Sequence, residues 1–287
     1  MKYWLLAIRP KTLGISLVPV LVGSSLAWSE TGLFQLFPML AALTGALLIQ
    51  IGTNLHNDAS DFERGADNSG RLGPLRAAAQ GWFSPEQIKL AAAIAFALAF
   101  LVGIYLVWVG GLPIILAGLA SLLAGYAYTG GPRPIAYSAT GELFVFLFFG
   151  LVAVMGSYYI QTLTLSLNAL AVASAVGLLA AAVLLVNNYR DLTNDRNAQK
   201  LTLTHYLGRQ HSRQVYGLFL LTPFLLPVLL WEQGSEIWLV LIALPIALFL
   251  LYRFITEAPG PVFNQILART AQLQLFYGLL LSGALLI

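Results

Sequence analysis

Two short stretches of this chain hold most of the side chains that could do chemistry. The first carries Asn54, Asn57, Asp58 and Asp61 and continues to Asp67; the second carries Asn187, Asp191 and Asp195. On a helix, Asn54, Asp58 and Asp61 fall at i, i+4 and i+7, and Asn187, Asp191 and Asp195 at i, i+4 and i+8, so each set shares one face. Carboxylates gathered beside apolar surroundings repel one another and are costly to desolvate, and divalent cations would neutralise them. Oxygen donors without His or Cys suit a hard ion, Mg2+ first and Mn2+ next, with Asn54, Asp58, Asp61, Asp191 and Asp195 as the candidate metal ligands. Mg2+ usually takes one or two carboxylates and completes its octahedron with water and phosphate oxygens. Nearby Arg71, Arg76, Arg190, Arg196 and Lys200 would bind the remaining phosphate charge. A single aspartate pair at a helix end is ordinarily a cap or a solvated terminus. The repetition of one design in two places is what lifts the signal above that reading.

The elements that must position these residues follow from composition. Of 287 residues, 59% are hydrophobic and 9% charged, against about 25% charged in an ordinary soluble domain. The chain reads as a single polytopic membrane unit over residues 1–287. Nine segments reach spanning length: 12–28, 35–54, 88–108, 112–128, 141–161, 167–187, 214–231, 236–254 and 265–287. Their continuous apolar runs lack the alternation of barrel strands, so the expected fold is all-α. All 15 Lys and Arg fall on one side of this nine-span arrangement, and the opposite connections hold Glu30, Glu232 and Glu236. The positive-inside rule then puts the N-terminus in the cytoplasm, in the inner (cytoplasmic) membrane, with both aspartate motifs on the cytoplasmic face. The two long connections, 55–87 and 188–213, are the ones that carry them. With so few charges, the net +3 does not indicate a nucleic-acid partner. The absence of cysteine excludes disulfides, thiolate metal sites and thiol nucleophiles, and nothing at the start reads as a cleavable signal peptide.

Weaker candidates surround the motifs. Tyr128-Thr-Gly-Gly-Pro-Arg133-Pro134 is first a helix stop and turn, with Tyr128 a candidate substrate contact. Glu142 opens the fifth span just inside the membrane edge, a placement costly enough to call for a partner or a role. Tyr158 and Tyr159 read as an interfacial belt, His56 as a structural donor, and His205 and His211 as loop residues. Two metal sites beside basic residues, at the mouth of an apolar bundle, suit a ligand with a diphosphate head and a hydrocarbon tail.

Asn54-x-x-Asn57-Asp58-x-x-Asp61 together with Asn187-x-x-x-Asp191-x-x-x-Asp195 resembles the UbiA superfamily of intramembrane aromatic prenyltransferases. The opening Trp4-Leu-Leu-Ala-Ile-Arg9-Pro-Lys11, the Asp61-to-Asp67 spacing, Arg71-Leu-Gly-Pro-Leu-Arg76, the Tyr128 turn and Gly141-Glu142-Leu-Phe resemble its 1,4-dihydroxy-2-naphthoate branch more closely. The resemblance runs from about residue 4 to residue 208 and implies that Asp58, Asp61, Asp191 and Asp195 are catalytic through Mg2+. It implies that Asn54, Asn57, Asp67, Arg71, Arg76, Tyr128, Asn187, Arg190 and Lys200 contact substrate, Lys200 and the arginines gripping diphosphate. The implied reaction joins a polyprenyl chain, from polyprenyl diphosphate, to dihydroxynaphthoate with loss of diphosphate and CO2, giving demethylmenaquinone within the lipid bilayer. The chain departs from the family pattern at Gly65, where the benzoate branch has aspartate, and at Gln199 and Tyr206, where members often have Gly and Arg. Another acceptor, homogentisate or 4-hydroxybenzoate, is the nearest alternative. From a different class, an ion-coupled transporter would place its acidic site near the midplane, in broken helices, instead of in the connections.

Overall fold

The computed structural model describes residues 2–66, 72–230 and 234–287, and within them the chain is helical with no strand. A short α1 (Lys2–Ala7) leads by a sharp elbow into α2 (Pro10–Thr31), followed by α3 (Leu36–Glu63), α4 (Pro85–Gly110) and α5 (Leu112–Ala127). The next span, Gly141–Thr162, is composite: α6 (Gly141–Val145), a π-helical stretch (Phe146–Met155) and α7 (Gly156–Thr162). Then come α8 (Leu167–Asn197), α9 (Leu203–Leu221), the short α10 (Leu226–Leu229), α11 (Leu244–Thr256) and α12 (Phe263–Ala284).

Among the described residues, seven helical segments are long and apolar enough to cross a membrane, and Leu112–Ala127 is a shorter apolar helix. With Phe263–Ala284, of 22 residues, they occupy the nine segments expected from hydropathy. Outward-facing Trp108, Leu116 and Leu123 are largely exposed, as apolar side chains are where the neighbour is lipid.

α8 is the axis of the bundle and is buried along most of its length. The π-helical stretch lies against it so closely that a Cβ on Gly150 would come within 2.6 Å of the Ala173 carbonyl and 2.8 Å of Gly177 Cα. Only glycine at both positions permits that approach. On the other side, rings of Tyr189, Tyr216, Phe254 and Phe263 pack against one another, stacked or edge-on, with centroids 4.0 to 5.3 Å apart. They tie α8, α9, α11 and α12 into one core.

Three expectations need correction. The long connections are shorter than 55–87 and 188–213: α3 runs on to Glu63 before α4 begins at Pro85, α8 runs on to Asn197, and α9 begins at Leu203. Both aspartate motifs therefore sit on rigid helix extensions, because their apolar neighbours keep these turns packed. His205 and His211 lie in α9, which is bent at Gly208 with φ 65°. Tyr158 is not a belt residue; it is 3% exposed and its hydroxyl donates to Glu30 at 2.6 Å.

Candidate active site

The site is built at one end of the bundle, where the last turns of α3 and α8 meet the α1–α2 elbow and the segment 134–138. α3 ends at Gly65, whose φ of 71° and N–H bond to the Phe62 carbonyl reverse the chain directly after the motif. That conformation belongs to glycine, which gives Gly65 a structural reason at the position where the benzoate pattern carries aspartate. After α8 the reversal falls on Gln199, with φ 55°, and the Lys200 amide returns to the Asp195 carbonyl at 2.8 Å. A left-handed glutamine is uncommon, and the position is one where glycine is the easier residue.

Each aspartate already has a protein partner. Asp58, 1% exposed, accepts from the backbone N–H groups of Ala77 and Ala78 at 2.9 and 3.0 Å. It pins the turn at 77–80 onto α3, over a small core of Leu55, Ala59, Ala77, Ala78, Ile88 and Ala92. Asp61 accepts from Arg76 at 3.1 Å and from the Tyr137 hydroxyl at 3.0 Å. Asp191 accepts from two nitrogens of Arg190. Asp195 faces Lys200 at 3.6 Å through Oδ1, while its Oδ2 is buried without a hydrogen-bond partner.

The amides are less uniform than their spacing implied. Asn54 donates to the Ile8 carbonyl and to Thr12 Oγ1, both at 3.0 Å, so it braces the α1–α2 elbow. Asn57 Oδ1 is buried and free of partners. Asn187 accepts from Arg190 at 2.8 Å, and it is the neighbouring Asn188 that faces the fifth span. Arg190 also reaches Asn264 Oδ1 at 2.8 Å, and Asn264 donates to the Leu72 carbonyl at 2.8 Å. Arg209 donates to the Tyr189 carbonyl and sits over its ring, away from the aspartates. Asp67 and Arg71 lie outside the described residues.

Three residues were missed as site residues from sequence. Arg9 occupies the elbow in a left-handed conformation, φ 56° and ψ 68°, a strained state for a non-glycine residue that neighbouring structure must enforce. The Asn54 bonds on either side of it do so. Its Nη2 is buried and unpartnered, burial depresses the guanidinium below its ordinary value, and the charges of Asp58 and Asp61 oppose that shift. Its signal was visible as a cation directly before a proline. Tyr137 bridges the two motifs: its hydroxyl binds Asp61, its carbonyl accepts from Leu201 at 3.2 Å, and Arg64 and Lys200 lie over its ring. Burial, with Asp61 adjacent, raises the Tyr137 hydroxyl far above the usual phenol range. Asn264 had no local signal. Tyr128, at the end of α5, lies close enough to Glu142, Asp61, Asp195 and Arg9 for their charges to act on it.

The UbiA prenyltransferase family matches residues 16–259. A 1,4-dihydroxy-2-naphthoate octaprenyltransferase of Mycobacterium leprae is 32% identical over 98% of this chain and 95% of that protein. The Escherichia coli protein of the same name is 40% identical over 76% of this chain and 72% of its own length. A UbiA homolog from Archaeoglobus fulgidus, solved with GPP and Mg2+, superposes with a TM-score of 0.68 at 18% identity, covering 98% of this chain and 99% of that one. With that family match and relatives at 32–40% identity, the chain belongs to the UbiA prenyltransferase family.

Proposed function

We propose that this protein transfers a polyprenyl chain from polyprenyl diphosphate to 1,4-dihydroxy-2-naphthoate, releasing diphosphate and CO2 and giving demethylmenaquinone. The observation that carries the reading is the proximity of Asp61, Asp195, Arg9 and Tyr128 at the mouth of an apolar bundle, in a chain whose near-full-length relatives are named 1,4-dihydroxy-2-naphthoate octaprenyltransferase.

The donor set fits Mg2+, with Mn2+ as a substitute. Among the described residues no three His, Cys, Asp or Glu gather into a closed metal cage, and Mg2+ with a diphosphate needs only one or two carboxylates per ion. Asp195 Oδ2 and Asn57 Oδ1 are buried oxygens without partners, and Asp61 and Asp191 flank them. Bound there, Mg2+ would absorb charge developing on the departing diphosphate. The cations of this chain complete the cradle: Arg9 with its free Nη2, Lys200 beside Asp195, and Arg71 with Arg76 for diphosphate or for the acceptor carboxylate. Asn54 and Asn187 act at one remove, holding Arg9's elbow and Arg190. The packed helices below exclude water from an allylic cation.

We extend the proposal to topology: nine spans, the N-terminus and site on the cytoplasmic side of the inner membrane. The test of the chemistry is a product assay with purified full-length protein, a prenyl diphosphate and either dihydroxynaphthoate or 4-hydroxybenzoate. Prenylated, decarboxylated naphthoate is expected, with activity abolished by chelator and restored by Mg2+ or Mn2+. Efficient prenylation of the benzoate with none of the naphthoate overturns the acceptor assignment; full turnover in excess chelator overturns the metal.

A further inference from the structure

Among the described residues, Glu142 is the one buried carboxyl group outside the two aspartate motifs. It lies in the first turn of α6 and is 2% exposed. Its Oε1 accepts from Asn188 Nδ2 at 2.9 Å, and its Oε2 is buried with no hydrogen-bond partner. Asn188 precedes Asp191 by three residues and Asp195 by seven on the same helix. At 1.5 Å per residue this puts it roughly 4.5 and 10 Å deeper along the axis. The carboxyl is therefore held just below the level of the aspartates, on the apolar side. Its charge is felt by Tyr128 and by Lys200, and Tyr128 is also reached by Asp61, Asp195 and Arg9. The unpartnered oxygen thus lies within charge range of Tyr128 and Lys200, at the bundle side of the level at which the α8 aspartates sit.

A carboxylate in a first helical turn also meets the helix dipole, and a purely structural Glu142 would do no more than that and accept from Asn188. Glutamine can do much of this, whereas it cannot take a proton. The open Oε2 is not needed for either structural task. Keeping such a group away from water and without a partner is costly unless a ligand completes it.

We propose that Glu142 is the proton acceptor for the aromatic substrate, an inference that rests on the aromatic-acceptor reading given above. As the ring carbon attacks C1 of the prenyl chain, the new C–C bond forms with an electron pair released by the ring hydroxyl, whose proton passes to Oε2. The C1–O bond breaks and its pair leaves on the diphosphate. Where the attacked carbon carries the carboxylate, loss of CO2 returns that bond's pair to the ring, the ring oxygen recovers the proton from Glu142, and the carboxylate is regenerated. Asn188 is the positioning residue that fixes which oxygen faces the ring.

The experiment compares Glu142→Gln and Glu142→Asp with wild type as full-length protein, with Mg2+, a prenyl diphosphate and dihydroxynaphthoate. Glu142→Gln is expected to keep its thermal stability, its KM for prenyl diphosphate and its slow acceptor-free release of diphosphate. Its kcat for transfer should fall on the order of 10²–10³-fold, the range of a lost general base, and Glu142→Asp should recover part of that. Across ring analogues of increasing hydroxyl acidity, the Glu142→Gln rate should climb towards wild type, because an already ionised ring needs no base. Transfer by Glu142→Gln within about threefold of wild type overturns the proposal, as does an equal loss of acceptor-free diphosphate release and prenyl diphosphate binding. If wild type prenylates a different aromatic ring, the comparison is read with that ring. If it prenylates none, the acceptor reading falls, and this inference with it.

Discussion

Asp58 and Asp195 carry the same side chain in matching motifs, yet the structure predicts opposite consequences for removing them. Asp58 holds two buried backbone N–H groups, those of Ala77 and Ala78, and through them the turn that closes the small core over α3. Truncation to alanine strands both donors. Hydrogen bonds to a charged acceptor contribute about 1.5–3 kcal/mol each. The low end applies here, because deletion also removes the cost of keeping a carboxylate from water. Two bonds at about 1.5 kcal/mol amount to about 3 kcal/mol, a fall in Tm on the order of 6–12 °C at the usual conversion for domains of 150–250 residues. Asp195 has one loose ion pair and an oxygen with no partner, so Asp195→Ala should leave Tm unchanged or raise it while abolishing turnover. Asp58→Asn, which keeps one acceptor, should fall between. The assay is thermal unfolding of purified protein in detergent, followed beside product formation on the same preparations. An Asp58→Ala protein that melts within 2 °C of wild type, or an Asp195→Ala protein that melts as far below it as Asp58→Ala, refutes the division of labour.

Three further outcomes follow from the same geometry. Gln199→Gly should raise stability by roughly 0.5 kcal/mol, since relief of a left-handed side chain, about 1–2 kcal/mol, outweighs glycine's greater unfolded freedom, about 0.5–1 kcal/mol; a lower Tm would contradict it. Arg190→Lys keeps the charge but loses the fork that joins Asp191, Asn187 and Asn264; stability should drop by about 2 kcal/mol, with turnover at least tenfold down in the product assay. In this cysteine-free chain, a cysteine at Gln199 should resist an outside-only thiol reagent in intact cells and one at Leu165 should react, the reverse pattern overturning the proposed orientation.

The parts of the fold legible in the sequence were those set by one-dimensional physics. Continuous apolar runs located the spans, and the i, i+4 spacing of Asn54 with Asp58 and of Asn187 with Asp191 placed each pair on one helix face, since 3.6-residue periodicity needs no tertiary information. Hydropathy ends the sixth span at residue 187, before the polar turns that carry Asp191 and Asp195, whereas the helix continues through both to Asn197, as their spacing on one face requires. What spacing could not show is which partner each polar group takes. Asp58 bonding to Ala77, Tyr137 bonding to Asp61 and Asn264 bonding to Arg190 all cross from one element to another, and nothing local marks them. Arg9 shows the limit most clearly: its charge was counted for topology, while its role depends on a backbone twist held by Asn54, 45 residues away.

The bond between Asn264 and Arg190 has a consequence for how the site comes into being. The family match ends at residue 259, and Asn264 opens the last helix beyond it, one arm on Arg190 and the other on the Leu72 carbonyl. Arg9 lies before the match begins. The four motif aspartates thus lie within the segment the family model matches, while Arg9 and Asn264 come from the two ends of the chain. A nascent chain halted after α11 would carry all four aspartates without the Asn264 bond to Arg190, so that contact between the two halves of the site can form only once the last helix is in place.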